Sequence, residues 1–145
     1  MTEQDKKEIA QSFIRGLGNR DANLLRSIMT EDVVWSLPGE STISGEAKGV
    51  EAILKRASTL HGFNVKIEIE RVVYGLQDVA LHLHNTGTYA GKVLDEHLTT
   101  VIHLDGNKIH RLDTFISDVP MSTGFPLITG VEPTIAYKTG SRTCP

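Results

Sequence analysis

Apolar residues recur at helical spacing near the start of the chain: Ile9, Ala10, Phe13, Ile14 and Leu17 share one face of a 3.6-residue period. Thr2 precedes them as a cap, and Glu3 and Asp5 lie in the first turn, where acids complement the helix dipole. Gly16 and Gly18 read as the stop of this helix. Asp21 can cap a second, short helix with Leu24, Leu25, Ile28 and Met29 along one side. A loop rich in Gly, Ser and Thr runs from Pro38 to Gly49, and a third helix carries Val50, Ile53, Leu54, Ala57 and Leu60 on one face. The pattern predicts three amphipathic helices filling the N-terminal half.

The second half changes period to 2, the alternation of pleated strands. Val65, Ile67 and Ile69 alternate with Lys66, Glu68 and Glu70; Val79, Leu81 and Leu83 alternate with Ala80, His82 and His84; Leu94, Leu98, Ile102 and Leu104 alternate with more polar neighbours. Gly75 to Asp78, Ala90-Gly91 and Asp105 to Asn107 have the composition of hairpin links. Helices first and a twisted antiparallel sheet afterwards define an α+β fold, with helices on one face of the sheet. One domain is expected over residues 1 to 130, followed by a loose tail over 131 to 145, which shows no sustained period.

A two-residue turn at Ala90-Gly91 sets the register of the hairpin: Asn85 opposes Glu96, Leu83 opposes Leu98 and Leu81 opposes Thr100. Both apolar rows then share a face, which a slip of one residue would destroy. Glu96 is the lone acid on that face, beside Asn85. A carboxylate there loses solvation, and its pKa rises toward the range of a general base or acid. The alternative is a hydrated Glu96 at an open rim.

Composition narrows the function. With 145 residues, 15 Lys and Arg against 18 Asp and Glu, and no basic run, the chain is a poor partner for nucleic acid or an anionic membrane. A single cysteine, Cys144, excludes an internal disulfide framework and a thiolate zinc cluster. The start has neither an apolar signal core nor a spanning segment, so a cytoplasmic protein is expected.

The order of elements, the segment TEDVVWSLPGESTISGEAKGVEAI at 30 to 53 and DGNKIHRLDTFISD at 105 to 118 resemble the nuclear transport factor 2-like superfamily, in its SnoaL-like and ketosteroid isomerase-like branch. The resemblance covers roughly residues 5 to 120. It implies a cone-shaped curved sheet closed by the helices around an apolar pocket, cofactor-free chemistry, and a homodimer through the outer sheet face. Members include isomerases, polyketide cyclases, epoxide hydrolases and dehydratases, and also binding modules without catalysis, so the fold alone does not choose. The departures matter more. Where ketosteroid isomerase has a general-base Asp before its loop Pro, a helix Tyr and an oxyanion-hole Asp, this chain has Leu37, Phe13 and Thr100. The last-strand Asp of limonene epoxide hydrolase falls on Thr114. Neither mechanism transfers.

On the last strand, His110, Leu112, Thr114, Ile116 and Asp118 alternate with Ile109, Arg111, Asp113, Phe115 and Ser117. Alternation alone does not decide which set faces inward; the resemblance favours the first. His110 is then a proton carrier and Asp118 orients a ligand or water. Phe13, Trp35, Leu37, Leu98 and Ile116 form an apolar floor for a flat substrate, and Asn85, Thr100 and Thr114 are hydrogen-bond donors to a developing enolate. A second constellation competes: His82 and His84 on one strand face, with His97 across from His84 and His103 farther along, match three zinc positions. Under the resemblance that face points to a dimer partner, and no metal is assigned. The expected function is cofactor-free acid/base chemistry (isomerisation, cyclisation or dehydration) on a small apolar cyclic or polyketide-like ligand. Glu96 is the base, and His110 or Asp118 its complement. The rival is a non-catalytic ligand-binding or dimerisation module.

Overall fold

A computed structural model describes residues 1–118. The elements in chain order are α1 (Glu3–Asn19), α2 (Ala22–Ile28), β1 (Met29–Leu37), β2 (Gly45–Lys48), α3 (Val50–Gly62), β3 (Lys66–Tyr74), β4 (Asp78–Tyr89), β5 (Lys92–Asp105) and β6 (Lys108–Ile116). The predicted caps are present. Thr2 Oγ1 accepts from the Asp5 amide while Asp5 Oδ2 accepts from the Thr2 amide, a reciprocal capping box. Asp21 Oδ1 accepts from the Leu24 amide at the start of α2. Gly16 and Gly18 do not stop α1, which continues to Asn19. It closes at Arg20, in the left-handed region at φ 52°, whose amide donates to the Gly16 and Leu17 carbonyls.

Six strands form one sheet in the order β2-β1-β6-β5-β4-β3. Neighbours are antiparallel except β1 and β6, which run parallel. Two of these strands depart from the expectation of helices followed by sheet. Met29 leaves the α2 stripe and opens β1, and residues 45–48 of the expected loop form the short edge strand β2. Val33, Val34 and Trp35 are three apolar residues in succession, so β1 shows no clear alternation, although Val33, Trp35 and Leu37 are buried between less buried neighbours. Gly45 and Glu46 have low strand propensity and hide β2.

The β4–β5 hairpin has the predicted register, with Asn85 on Glu96, Leu83 on Leu98 and Leu81 on Thr100. Ala90 and Gly91 both take positive φ, 53° and 78°, the requirement of a type I′ turn. The three helices lie on one face of the sheet, α1 against β3 and β4, α3 against β1 and β2, and α2 against β1 and β6. Between them Phe13, Leu25, Ile53, Leu81, Leu94, Ile102 and Leu112 are almost fully buried. Gly87 on β4 lets the turn between α3 and β3 approach closely, since a Cβ there would lie 3.0 Å from the Asn64 carbonyl oxygen. No helix among the described residues is long and apolar enough to cross a membrane. The expected tail at 131 to 145 lies outside the described residues.

Candidate active-site cavity

The odd positions of β4 and the even positions of β5 point toward the helices and form one wall of a cavity. Phe13, Trp35, Leu37, Asn85, Leu98, Thr100 and Ile116, all expected as ligand contacts, line it together with Glu96. Its volume is about 30 Å³, room for one or two waters. An adjoining groove of about 270 Å³ runs between α1, α3 and the start of β3 and shares Ile14, Leu17, Leu60 and Ile67 with the cavity. Those four side chains are the partition between the two. His61 stands in the groove, where burial, helped by the charge of Arg20, pushes its pKa below the ordinary histidine value.

Polar groups are few on this wall. Glu96 is 4% exposed and Asn85, its partner across the ladder, 7%. Asn85 Oδ1 has no hydrogen-bond partner among the described residues. Thr100 completes the set. Trp35 Nε1 donates to Thr114 Oγ1 at 2.8 Å, and the Thr114 and Thr100 hydroxyls lie 2.8 Å apart. Thr114, although buried, stands behind the lining and is engaged by these two bonds; Thr100 is the threonine on the cavity surface. The indole is fixed from three sides. Phe13 meets it edge-on at 5.8 Å, Thr114 holds its nitrogen, and the Arg56 guanidinium lies 4.8 Å from its ring centre.

His110 does not reach this cavity. The register between β5 and β6 passes from His103 on Arg111 to Leu104 on Ile109, leaving His110 as the extra residue of a bulge. Ile109, fully buried, takes the inner place, and His110 is exposed with its ring 6.2 Å from that of His103. The inward parity expected from His110 to Asp118 therefore holds for Leu112, Thr114 and Ile116. Asp118 follows the end of β6 and is not a lining residue. The chain still pairs just before it, with the Ser117 amide donating to the His97 carbonyl at 3.1 Å.

Seven lining residues were not among the expected contacts: Ile14, Leu17, Ile43, Leu60, Ile67, Leu83 and Leu94. Leu60 and Ile67 were legible as the apolar faces of α3 and β3, but Ile43 sits in a segment without periodicity. The outer sheet face carries the remaining histidines. His84 and His97 are direct cross-strand partners with stacked rings, centres 4.4 Å apart. His84 Nε2 lies 2.6 Å from Asp95 Oδ1, and that hydrogen bond, reinforced by nearby acids against some desolvation, raises the pKa of His84. His97 Nδ1 lies 3.0 Å from Glu70 Oε1. His82, expected beside His84 in a metal triad, falls outside this group, and Glu70 occupies the third place.

Three helices over a six-stranded, mostly antiparallel sheet with an apolar cavity between them is the NTF2-like, or cystatin-like, architecture. The SnoaL-like domain model matches residues 10–112, and the chain belongs to that family. It is similar to the structure of Bal32a from a soil-derived mobile gene cassette, at 21% identity and TM-score 0.78, covering 84% of this chain and 96% of that one. A similar match is an NTF2-like protein from Burkholderia xenovorans, at 19% identity and TM-score 0.76, covering 86% and 98%. TerC, co-crystallised with polyporic acid, matches at 15% identity and TM-score 0.70, covering 81% and 95%. At these identities the likeness is one of fold. No curated protein matches the chain.

Proposed function

We propose that this protein is a cofactor-free enzyme that moves a proton within an apolar cyclic or polyketide-like molecule. The observation that carries the proposal is Glu96, a carboxyl 4% exposed in an otherwise apolar cavity, placed across the ladder from the amide of Asn85. A buried carboxyl facing a cavity is placed to take or give a proton on a bound molecule. Asn85 and Thr100 are the cavity groups suited to bind a carbonyl as it becomes an enolate. Asp118 is the complementary acid. The last β5–β6 pair, Leu98 on Ile116, and the hydrogen bond from the Ser117 amide to the His97 carbonyl support this pairing of Asp118 with Glu96. A ligand enters through the groove beside α1, and displacing Leu60 and Ile67 joins groove and cavity into a chamber of the size small ligands occupy. The likeness to TerC, co-crystallised with polyporic acid, supports a small-molecule occupant.

The test is exchange of the α-protons of a small cyclic enone in D₂O, followed by NMR. The wild-type chain accelerates exchange, and Glu96→Gln, nearly isosteric, reduces it by roughly a hundredfold or more while the melting temperature stays close to that of wild type. Equal exchange by both proteins would refute the assignment of Glu96. A second reading, ligand binding without chemistry, is favoured by the apolar or hydroxyl residues Phe13, Leu37 and Thr100 at the places where related isomerases carry proton-handling groups. It predicts ligand-induced shifts in the cavity resonances, unchanged in Glu96→Gln, with no exchange above background.

A further inference from the structure

We propose that the outer face of the sheet holds a site for a divalent transition-metal ion, zinc being the natural occupant, formed by Glu70, His84 and His97 and steadied by Asp95. The site is separate from the cavity and lies on the opposite face of the same strands.

Three features of the fold build it. First, β3 carries a bulge: its register passes from Ile69 on Leu83 to Arg71 on His82, so Glu70 is the extra residue. Glu70 continues the outward row of Lys66 and Glu68, and its carboxylate spans β4 and reaches His97 on β5 at 3.0 Å. Second, His84 and His97 face each other in the β4–β5 ladder with rings 5° from parallel. Two imidazoles are thereby fixed side by side on a hairpin that has no register slip. Third, His84 Nε2 is bonded to Asp95 Oδ1 at 2.6 Å, the carboxylate-to-histidine contact that orients ligating imidazoles.

One nitrogen from each imidazole and one oxygen of Glu70 already lie within 4.8 Å of one another. Adjacent donors on a tetrahedral zinc are about 3.3 Å apart. The Glu70–His97 pair is close to that spacing, and on binding His84 turns out of its stack on His97, because nitrogen lone pairs in two parallel ring planes cannot meet at one ion. The ion would replace the hydrogen-bond contact between Glu70 and His97. Two imidazoles and a carboxylate are the donor set of zinc and its neighbours rather than of calcium or magnesium, which take oxygen ligands. Three protein donors leave a fourth position for water or an external ligand.

Isothermal titration calorimetry of the untagged chain with zinc chloride in a non-chelating buffer tests this. The expected result is saturable binding of one ion per chain. His97→Ala and Glu70→Gln should each weaken it at least roughly tenfold, and Asp95→Asn about tenfold. His82→Ala, on the same strand face but outside the group, should leave it unchanged. These positions are on the surface, so matching far-ultraviolet circular dichroism and melting curves show that the variants are folded. Absence of saturable heat with the wild-type chain, or binding that survives His97→Ala and falls with His82→Ala, overturns the site.

Discussion

Arg56 provides the sharpest test of how the cavity wall is held. It projects from the inner face of α3 and is 6% exposed. Its Nη1 donates to the Trp35 carbonyl at 3.0 Å, its Nη2 donates to the Gly45 carbonyl at 3.1 Å, and its guanidinium lies over the Trp35 ring. Burial lowers its pKa from 12.5 to about 10, so it remains charged at neutral pH. At about 1.4 kcal/mol per pKa unit, that desolvation amounts to roughly 3 kcal/mol. Hydrogen bonds from a charged donor contribute about 1.5–3 kcal/mol each, and a partly desolvated cation over an indole about 1 kcal/mol more. Arg56→Met keeps the stem, recovers the desolvation term and loses all three contacts, leaving the Trp35 carbonyl without this donor. The expected net loss is about 2–3 kcal/mol, which at this chain length is a melting-temperature drop of roughly 6–12 °C. Arg56→Lys should be no better, because one ammonium cannot reproduce the fork and is more strongly hydrated. Urea unfolding followed by far-ultraviolet circular dichroism and by the fluorescence of Trp35, the single tryptophan, measures both. A methionine variant within about 0.5 kcal/mol of wild type would refute the reasoning, since surface-like substitutions stay inside that limit.

Two further predictions concern the same sheet. Burial alone would raise the pKa of Asp113, but hydrogen bonds from Ser36, Arg111 and His103 outweigh it and hold the carboxyl below its ordinary 3.8. A depressed carboxyl contributes stability that is full above the unfolded-state value and is lost as pH falls through the folded one. Urea midpoints taken from pH 7 down to 2 should therefore fall less steeply below pH 4 in Asp113→Asn than in wild type, and parallel acid limbs would count against the pairing. Gly87→Ala would place a methyl group 3.0 Å from the Asn64 carbonyl oxygen and 3.4 Å from the Val65 Cα. These are backbone atoms that cannot rotate away, so the gain in strand propensity is outweighed and the variant should lose about 1–2 kcal/mol in urea unfolding; a more stable variant would show that the turn has room to move.

The distribution of what the sequence disclosed follows the regularity of the ladder. Glu96, Asn85, Leu98 and Thr100 were placed correctly because Ala90-Gly91 dictates a two-residue turn and the pairing that follows runs unbroken from Tyr89 on Lys92 to Asp78 on His103. Along such a hairpin, one turn and a period of 2 fix every side chain to a face. The helices were equally legible, since each carries an apolar stripe, and two of them have a polar cap whose hydrogen bond forms.

Two of the departures fall where the ladder slips. His110 is the extra residue of the β6 bulge and turns outward, where the alternation alone sets it with the inward row. The register of β1 on β6 shifts between Met29 and Val34, the stretch assigned partly to a helix and partly to no element. A bulge adds a residue without changing composition, so periodicity cannot report it, yet it reverses the facing of everything on one side of it relative to the other. It is also the device by which a strand aims a side chain away from its default direction. The outward row of β3 puts the Glu70 carboxylate within reach of His97, while the uninterrupted β4–β5 pair carries Glu96 to the opposite face, into the cavity. One hairpin contributes to both candidate sites, Glu70 of β3 completing the outer one, and what differentiates them is parity: Glu96, opposite Asn85, faces the helices, and His97, a single residue further and opposite His84, faces out.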